Sequence, residues 1–408
     1  MSDSPKLPYG RHTIDQDDIN AVVEVLRSDY LTSGPAVERF EGALCEVTGA
    51  AHAVACTNGT TALHLAAAAL GIGPEDWVVV PAVTFLATAN AARYVGAEVA
   101  FADVDPGTGL MTPETLEATL ERCARDHRRV RVAFPVHLNG QVVDLPGVGT
   151  VAGDAGVDVV DDACHAIGAT FDSPVGASRV GDGAHAAMST FSFHPVKTVA
   201  MGEGGAVTTN DPSLADRLRR LRNHGMTRNP DQFTEREQAF DAGTPNPWYY
   251  EMPDPGHNFR ASDLHCALGA SQLSKLHRFV ADRQSLVDHY DQALEPLAPA
   301  IRPVERVTTC EPAWHLYVAL VDFDALGRSR ADVMRRLSER GIATQVHYLP
   351  VNRQPYYRRR YGSLELAGAD AYYERCLTLP LFASMSMSDA DRVVGELAAA
   401  CGLGRLLD

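Results

Sequence analysis

The chain has 408 residues, 45% of them hydrophobic and 22% charged. That length suits two or three ordinary domains, and that balance excludes a disordered or collagen-like chain. Thirty-six Lys and Arg stand against 52 Asp and Glu, a net charge of −16, which argues against a broad nucleic-acid interface. An anionic small molecule would have to be held by local donors. The longest apolar stretch, Ala62 to Leu70, contains His64 and is too short to span a bilayer. No basic and apolar leader follows Met1. The eight cysteines are scattered, with no C-x-x-C pair and no clustered ligands. They read as reduced thiols of a cytoplasmic protein, with no metal site, no nucleic-acid partner and no membrane association expected.

In chain order, residues 1–34 read as an arm leading into a helix over Gln16–Ser28 and a turn at Leu31-Thr-Ser-Gly-Pro35. Short apolar runs then alternate with helical patterns to about residue 250. The runs are Val54–Cys56, Val78–Pro81, Val99–Ala102, Val130–Val136, Val157–Val160, Ser189–Phe193 and Ala206–Thr209. The helical segments between them include Thr60–Leu70, Thr84–Val95 and Pro113–Arg125. Alternation of this kind implies βαβ units and a mainly parallel sheet with both faces covered. The glycine-rich stretch Gly147–Gly156 lacks the strand and helix context of a dinucleotide loop. Pro245–Gly256, rich in Pro, Trp and Tyr, reads as a surface loop and linker. Helices follow over Ser262–Leu273 and on to Leu294. The tail mixes strands (Leu316–Val321, Ala343–Tyr348) with helices (Arg330–Arg340, Ala369–Leu377, Asp389–Cys401). The division expected is an arm over 1–34, a large α/β domain over 35–255 and a smaller α+β domain over 256–408.

Of the 36 basic residues three are lysine (Lys6, Lys197 and Lys275) and the other 33 are arginine. An amine can lose its proton and form a Schiff base, which a guanidinium cannot. Lys197 ends the aromatic stretch Ser189-Thr-Phe-Ser-Phe-His-Pro-Val-Lys197, with glycines beyond it in Gly202-Glu-Gly-Gly205. That setting fits a desolvated nucleophile, with a snorkelling surface lysine as the alternative, and the scarcity of lysine favours the first. Cys56-Thr-Asn-Gly-Thr-Thr61, between a strand and a helix, offers free N–H groups to an anion, or a plain N-cap through Asn58 or Thr60. Asp161 and Asp162 close an apolar strand, where one could face water and the other a ligand; a helix N-cap is the bland alternative. Trp314-His315 reads as core, and Arg358, Arg359 and Arg360 as a solvated helix face.

Together these motifs resemble the DegT/DnrJ/StrS group of fold-type I pyridoxal-phosphate sugar aminotransferases. The likeness is carried by Leu31-Thr-Ser-Gly-Pro35, Asn58-Gly-Thr-Thr-Ala-Leu63, Pro81-Ala-Val-Thr-Phe85, Val136-His-Leu-Asn-Gly-Gln141, Asp161-Asp-Ala-Cys-His-Ala-Ile-Gly168, Phe191-Ser-Phe-His-Pro-Val-Lys197, Gly202-Glu-Gly-Gly205 and His257-Asn-Phe-Arg260. The resemblance implies a large domain with a mainly parallel seven-stranded sheet flanked by helices, plus a smaller C-terminal α+β domain. It implies pyridoxal 5′-phosphate held as a Schiff base with Lys197, passing through pyridoxamine phosphate during turnover. It gives Asp162 the ring nitrogen, Phe85 and His165 the two ring faces, and Gly59, Thr60 and Ser192 the phosphate, with Asn58 also among the cofactor-binding residues. Asn258 would reach in from a partner subunit, which implies a homodimer with shared active sites. Lysine at 197 favours transamination over the dehydration found in relatives that carry histidine there.

Leu7-Pro-Tyr-Gly-Arg-His-Thr-Ile14, Leu221-Arg-Asn-His-Gly-Met226, Pro247-Trp-Tyr-Tyr-Glu251 and Ala343-Thr-Gln-Val-His-Tyr348 look like one branch of that group. It makes UDP-4-amino-4,6-dideoxy-N-acetyl-β-L-altrosamine for pseudaminic acid, from L-glutamate and a UDP-linked 4-keto-6-deoxy sugar, releasing 2-oxoglutarate. The branch implies substrate contacts at Tyr9, Asp29, Tyr30, Leu31, Thr32, Gln345, Val346, His347 and Tyr348; His194, three residues before Lys197, either binds substrate or caps the turn. Another nucleotide-linked keto sugar is the open alternative.

Overall fold

The computed structural model describes residues 6–174 and 176–404. Residues 1–5 of the expected arm lie outside the described residues.

The seven apolar runs form one sheet. Its strands are β1 (His52–Cys56), β2 (Trp77–Pro81), β3 (Glu98–Ala102), β4 (Val130–Ala133), β5 (Asp158–Asp162), β6 (Met188–Ser192) and β7 (Gly205–Thr209). They lie in the order β1-β7-β6-β5-β4-β2-β3. β7 is antiparallel to both its neighbours, and the remaining pairs are parallel. Val54, Val78, Val79, Val80, Val132, Val160 and Val207 are fully buried, as expected for strands covered on both faces. The helices include α1 (Gln16–Leu26) and, covering the sheet, α2 (Pro35–Thr48), α3 (Gly59–Ala69), α4 (Leu86–Tyr94), α5 (Pro113–Arg125) and α6 (Leu145–Asp154). α6 spans most of the glycine-rich stretch 147–156; Asp144 caps it by accepting the Gly147 N–H at 3.0 Å.

A second sheet is antiparallel, with Tyr317–Val321 between Ile301–Pro303 and Cys376–Leu379. It shares a separate core with Leu276–Leu294, Arg330–Glu339 and Met387–Cys401, built on Tyr290, Tyr317, Leu337 and Leu397. Two expectations in this half change. The segment Ala369–Leu377 divides: its helix is Ala367–Arg375, and the chain then extends as a strand from Cys376. The segment Ala343–Tyr348 forms no strand, and its sheet contact is a single bridge from Gln345 to Thr378. Its polar and aromatic side chains line a cavity instead of alternating across a sheet.

The stretch 245–256 is tied down rather than a free tether. Glu251 accepts the backbone N–H groups of Thr234 and Glu235 at 2.8 Å each and the Tyr249 hydroxyl at 3.1 Å. Beyond it the helix Asp263–Leu273 packs on α1 and α2. Asp263 accepts the N–H groups of Gly34 and Ala36 at 2.8 and 3.0 Å, fixing the start of α2. Asp18 of α1 is 1% exposed and is satisfied by Ser271 and Gln272 at 2.7 Å and by Lys275 at 2.8 Å. The arm before α1 is held the same way, with Leu7 N–H donating to Gly341 and Ala343 N–H donating back to Leu7. Tyr9 is thereby brought to the edge of the cavity.

Candidate active site

The carboxyl ends of β1, β2, β5 and β6 open into a cavity of about 670 Å³, the place where open α/β sheets take ligands. Lys197 lies in the turn after β6, held by its N–H to His194 O at 2.8 Å and closed by Met201 N–H to Phe193 O at 2.8 Å. Burial pushes its amine below the usual lysine value, while the nearby Cys164 and Asp162 act the other way. A lysine so placed has an unprotonated amine within easier reach, the condition for nucleophilic and proton-transfer work.

At the end of β1, Asn58 caps α3: its side-chain oxygen accepts the Thr61 N–H at 2.9 Å. That leaves the Gly59 and Thr60 N–H groups at the helix start directed at the cavity, with the Thr60 and Ser192 hydroxyls beside them. Glycine is required at 59 because a Cβ there would lie 2.7 Å from Ser192 Cβ. This cradle is shaped for a phosphate, although no Lys or Arg besides Lys197 lines the cavity among the described residues.

The two aspartates separate. Asp162 faces the cavity; its Oδ2 accepts the Thr88 hydroxyl at 2.8 Å and its Oδ1 the Cys164 N–H at 3.2 Å. Asp161 does not face water, as one of the pair was expected to. It is 0% exposed and bound to His137 Nε2 at 3.0 Å, because the outer face of β5 is covered as thoroughly as the inner. His165 Nδ1 accepts the Asn139 N–H at 3.3 Å, so the proton of its neutral ring sits on Nε2, 3.4 Å from the Tyr348 hydroxyl. Burial, and then the charge of Lys197, push the His165 pKa well below the ordinary value. Phe85 stands at the mouth, 55% exposed, its ring 6.0 Å from that of Tyr348.

Of the sequence-predicted residues, Tyr9, Asn58, Gly59, Thr60, Phe85, Asp162, His165, Ser192, His194, Lys197, Gln345, Val346, His347 and Tyr348 line this one cavity. His194 also accepts the Val196 N–H at 3.4 Å, so it caps the turn as well as facing the cavity. Asp29, Tyr30, Leu31, Thr32 and Asn258 do not line it; all five are exposed on the surface of this chain. His315, read as core from the sequence, belongs to the site. Its Nε2 is 3.5 Å from Lys197 Nζ, and its ring meets that of His165 edge-on at 4.5 Å. Burial first, then Lys197 and His165, push its pKa well below the ordinary value. Nothing in the sequence marks it, since it precedes a strand of the other sheet and lies 118 residues from Lys197. Thr84, Cys164 and Glu203 are further lining residues that sequence reasoning passed over. The Cys164 thiol is pushed well up by burial and then by Asp162, so it is an unreactive wall.

A mainly parallel sheet with a half-buried lysine, a carboxylate and a helix-end cradle at its strand ends defines a fold-type I pyridoxal-phosphate enzyme. The chain belongs to the DegT/DnrJ/EryC1/StrS aminotransferase family, which it matches over residues 12–398. It is therefore a pyridoxal-phosphate-dependent sugar aminotransferase. It is 37% identical over 392 residues to the spore coat polysaccharide biosynthesis protein SpsC of Bacillus subtilis, 95% of each chain being covered. Helicobacter pylori PseC, an aminotransferase involved in the biosynthesis of pseudaminic acid, superposes with a TM-score of 0.85 at 26% identity, over 98% of this chain and 100% of that one. The pyridoxal-phosphate form of the sugar aminotransferase Spr1654 from Streptococcus pneumoniae gives 0.83 at 26% identity, over 98% and 99%. The residues present fit the cofactor: a cradle that a Cβ at 59 would fill, a carboxylate with lone pairs to spare, and an enclosed amine.

Proposed function

We propose that the protein moves the amino group of L-glutamate to C4 of a UDP-linked 4-keto-6-deoxy-N-acetylhexosamine, the sugar chemistry of pseudaminic acid biosynthesis. The observation that carries transamination is the enclosed Lys197 amine, facing Asp162 and the α3 cradle across one cavity. The likeness to PseC and the placement of Tyr9 and Gln345–Tyr348 along the same cavity support the choice of sugar.

Gly59, Thr60 and Ser192 would hold the cofactor phosphate, Asp162 would keep its ring nitrogen protonated, and Phe85 and His165 would flank its ring. Bound there, pyridoxal phosphate supplies an electron sink and carries the amino group between the two substrates. The Lys197 amine takes the proton from the α-carbon of glutamate and later delivers one to C4 of the sugar. Its fixed position on one side of the cavity sets the face of delivery, and so the configuration of the new amine. Buried neutral His315 stays beside that amine and holds it in place without adding a second charge.

In this reading two copies share their sites, and the partner's Asn258 completes the cradle; the exposure of Asn258 outside its own cavity supports this. The eight free thiols support a cytoplasmic location. Among the described residues no helix is long and apolar enough to cross a membrane.

The test is to incubate the purified yellow protein with glutamate and a panel of UDP- and TDP-linked keto sugars and identify the aminated product. Amination at C4 of the UDP-linked N-acetyl sugar is expected. Turnover confined to TDP-linked or 3-keto sugars would overturn the substrate assignment and leave the aminotransferase standing.

A further inference from the structure

The Asp162 carboxylate is 5% exposed, and its two oxygens are held from different places. Oδ1 accepts the N–H of Cys164, at the end of its own strand. Oδ2 accepts the hydroxyl of Thr88, 74 residues away in the first turn of α4. A helical threonine commonly returns its hydroxyl to the carbonyl four residues back. Thr88 instead has the Thr84 hydroxyl at 2.8 Å and the carboxylate at 2.8 Å. The direction of this chain follows from counting hydrogens. An ionised carboxylate only accepts, and Thr88 has a single hydroxyl hydrogen, so that hydrogen goes to Asp162. The Thr84 hydroxyl must then be the donor to Thr88. The three groups form a one-way chain, from Thr84 on the cavity wall through Thr88, 0% exposed, to Asp162.

We propose that Thr88, itself oriented by Thr84, is the positioning residue that holds the plane of the Asp162 carboxylate against the cofactor's ring nitrogen. This rests on the reading of Asp162 given above. With a fixed donor on each oxygen, the carboxylate cannot turn about its Cβ–Cγ bond, and a lone pair on each oxygen stays free for the ring N–H. A threonine that merely filled space between α4 and β5 would be replaced by valine, of the same shape, without consequence.

The experiment uses holoenzyme loaded with pyridoxal phosphate carrying an isotope label in the ring nitrogen, whose NMR resonance reports protonation directly. Thr88→Val is expected to move that resonance toward the unprotonated position and to lower kcat about tenfold, the range for losing one hydrogen bond to a charged group. KM for both substrates should stay within about twofold, since Thr88 touches neither. Thr88→Ser keeps the donor and should restore the resonance and kcat. Asp162→Asn should shift the resonance at least as far. A wild-type resonance and kcat in Thr88→Val, with Asp162→Asn shifted, overturns the proposal alone. An unshifted Asp162→Asn overturns the reading of Asp162, and this proposal with it. Should Thr88→Val not fold, Thr84→Val decides: a smaller shift of the same sign supports the chain, and an unchanged resonance with unchanged kcat overturns it.

Discussion

One wall of the cavity is carried on strand ends: Asn58–Thr60 after β1, Phe85 after β2, Asp162–His165 at the end of β5, and Ser192–Lys197 at the end of β6. The opposite wall, Tyr9 with Gln345–Tyr348, belongs to no strand or helix. It is held by bonds between distant segments. Leu7 pairs beside Ile342, Leu381 N–H donates to Tyr9 O at 3.1 Å, Gln345 exchanges backbone bonds with Thr378, and His347 Nδ1 meets the Thr378 hydroxyl at 2.7 Å. The first wall inherits the rigidity of the large sheet and suits chemistry that tolerates little displacement. The second can change shape without disturbing the sheet, which suits it to selecting the sugar. The comparison predicts that changes in the first wall act on kcat with any sugar, and changes in the second on the KM of the sugar.

Lys197→Arg should have the largest effect. It keeps a positive charge but cannot give or take a proton near neutral pH, so turnover should fall by about 10³-fold or more. Measurable turnover near the wild-type rate would break the assignment of this wall. His315→Gln should come next. It keeps a polar group near the amine but not the imidazole at 3.5 Å, and a loss of about five- to tenfold in kcat is expected, with the sugar KM within about twofold. Because His315 precedes the strand Tyr317–Val321 of the other sheet but touches Lys197, a change in KM alone would move it to the second wall. Tyr9→Phe should raise the sugar KM about fivefold, the value of one modest hydrogen bond. The half-reaction with glutamate, followed by the loss of yellow colour, should keep its rate. A slowed glutamate half-reaction would mean that the two walls do not divide the work.

The difference between the walls also decides what the sequence makes legible. Every strand of the large sheet shows as a short, largely apolar run, because burial on both faces favours apolar side chains there, and the polar groups of the site, such as Asp162 and Ser192, sit at the ends of those runs. The chemistry of Lys197 shows through its rarity among 33 arginines. The second wall shows only through likeness to relatives: Ala343–Tyr348 reads as a strand, yet side chains of Gln345–Tyr348 serve a cavity. His315 is silent because an apolar neighbour such as Trp314, 2% exposed, makes the pair look like core. Thr88 is silent because its hydroxyl partner lies on another element. Asp29–Thr32 look like substrate contacts by motif but are exposed beside the start of α2, outside the cavity of their own chain.

The smallest effect at neutral pH, and a separate probe of the second wall, is His347→Gln. Burial, and then the charge of Lys197, lower the His347 pKa to about 3, and His165 and His315 are lowered well below the ordinary value for the same reasons. In the unfolded chain each titrates near 6.5. Between about pH 6.5 and pH 3 the unfolded state therefore binds protons that the folded state does not, and stability rises with pH across that window. Each such histidine contributes up to about 1.4 kcal/mol per pH unit in the middle of it. Cofactor-free protein should thus melt at nearly the same temperature at pH 7 and pH 8, and progressively lower from pH 6 to pH 4. His347→Gln removes one of these groups and keeps a polar atom near the Thr378 hydroxyl, so its melting curve should fall less steeply over the same range. An acid slope unchanged by the substitution would mean that the second wall opens to water before the protein unfolds, and that its histidine is protonated in place.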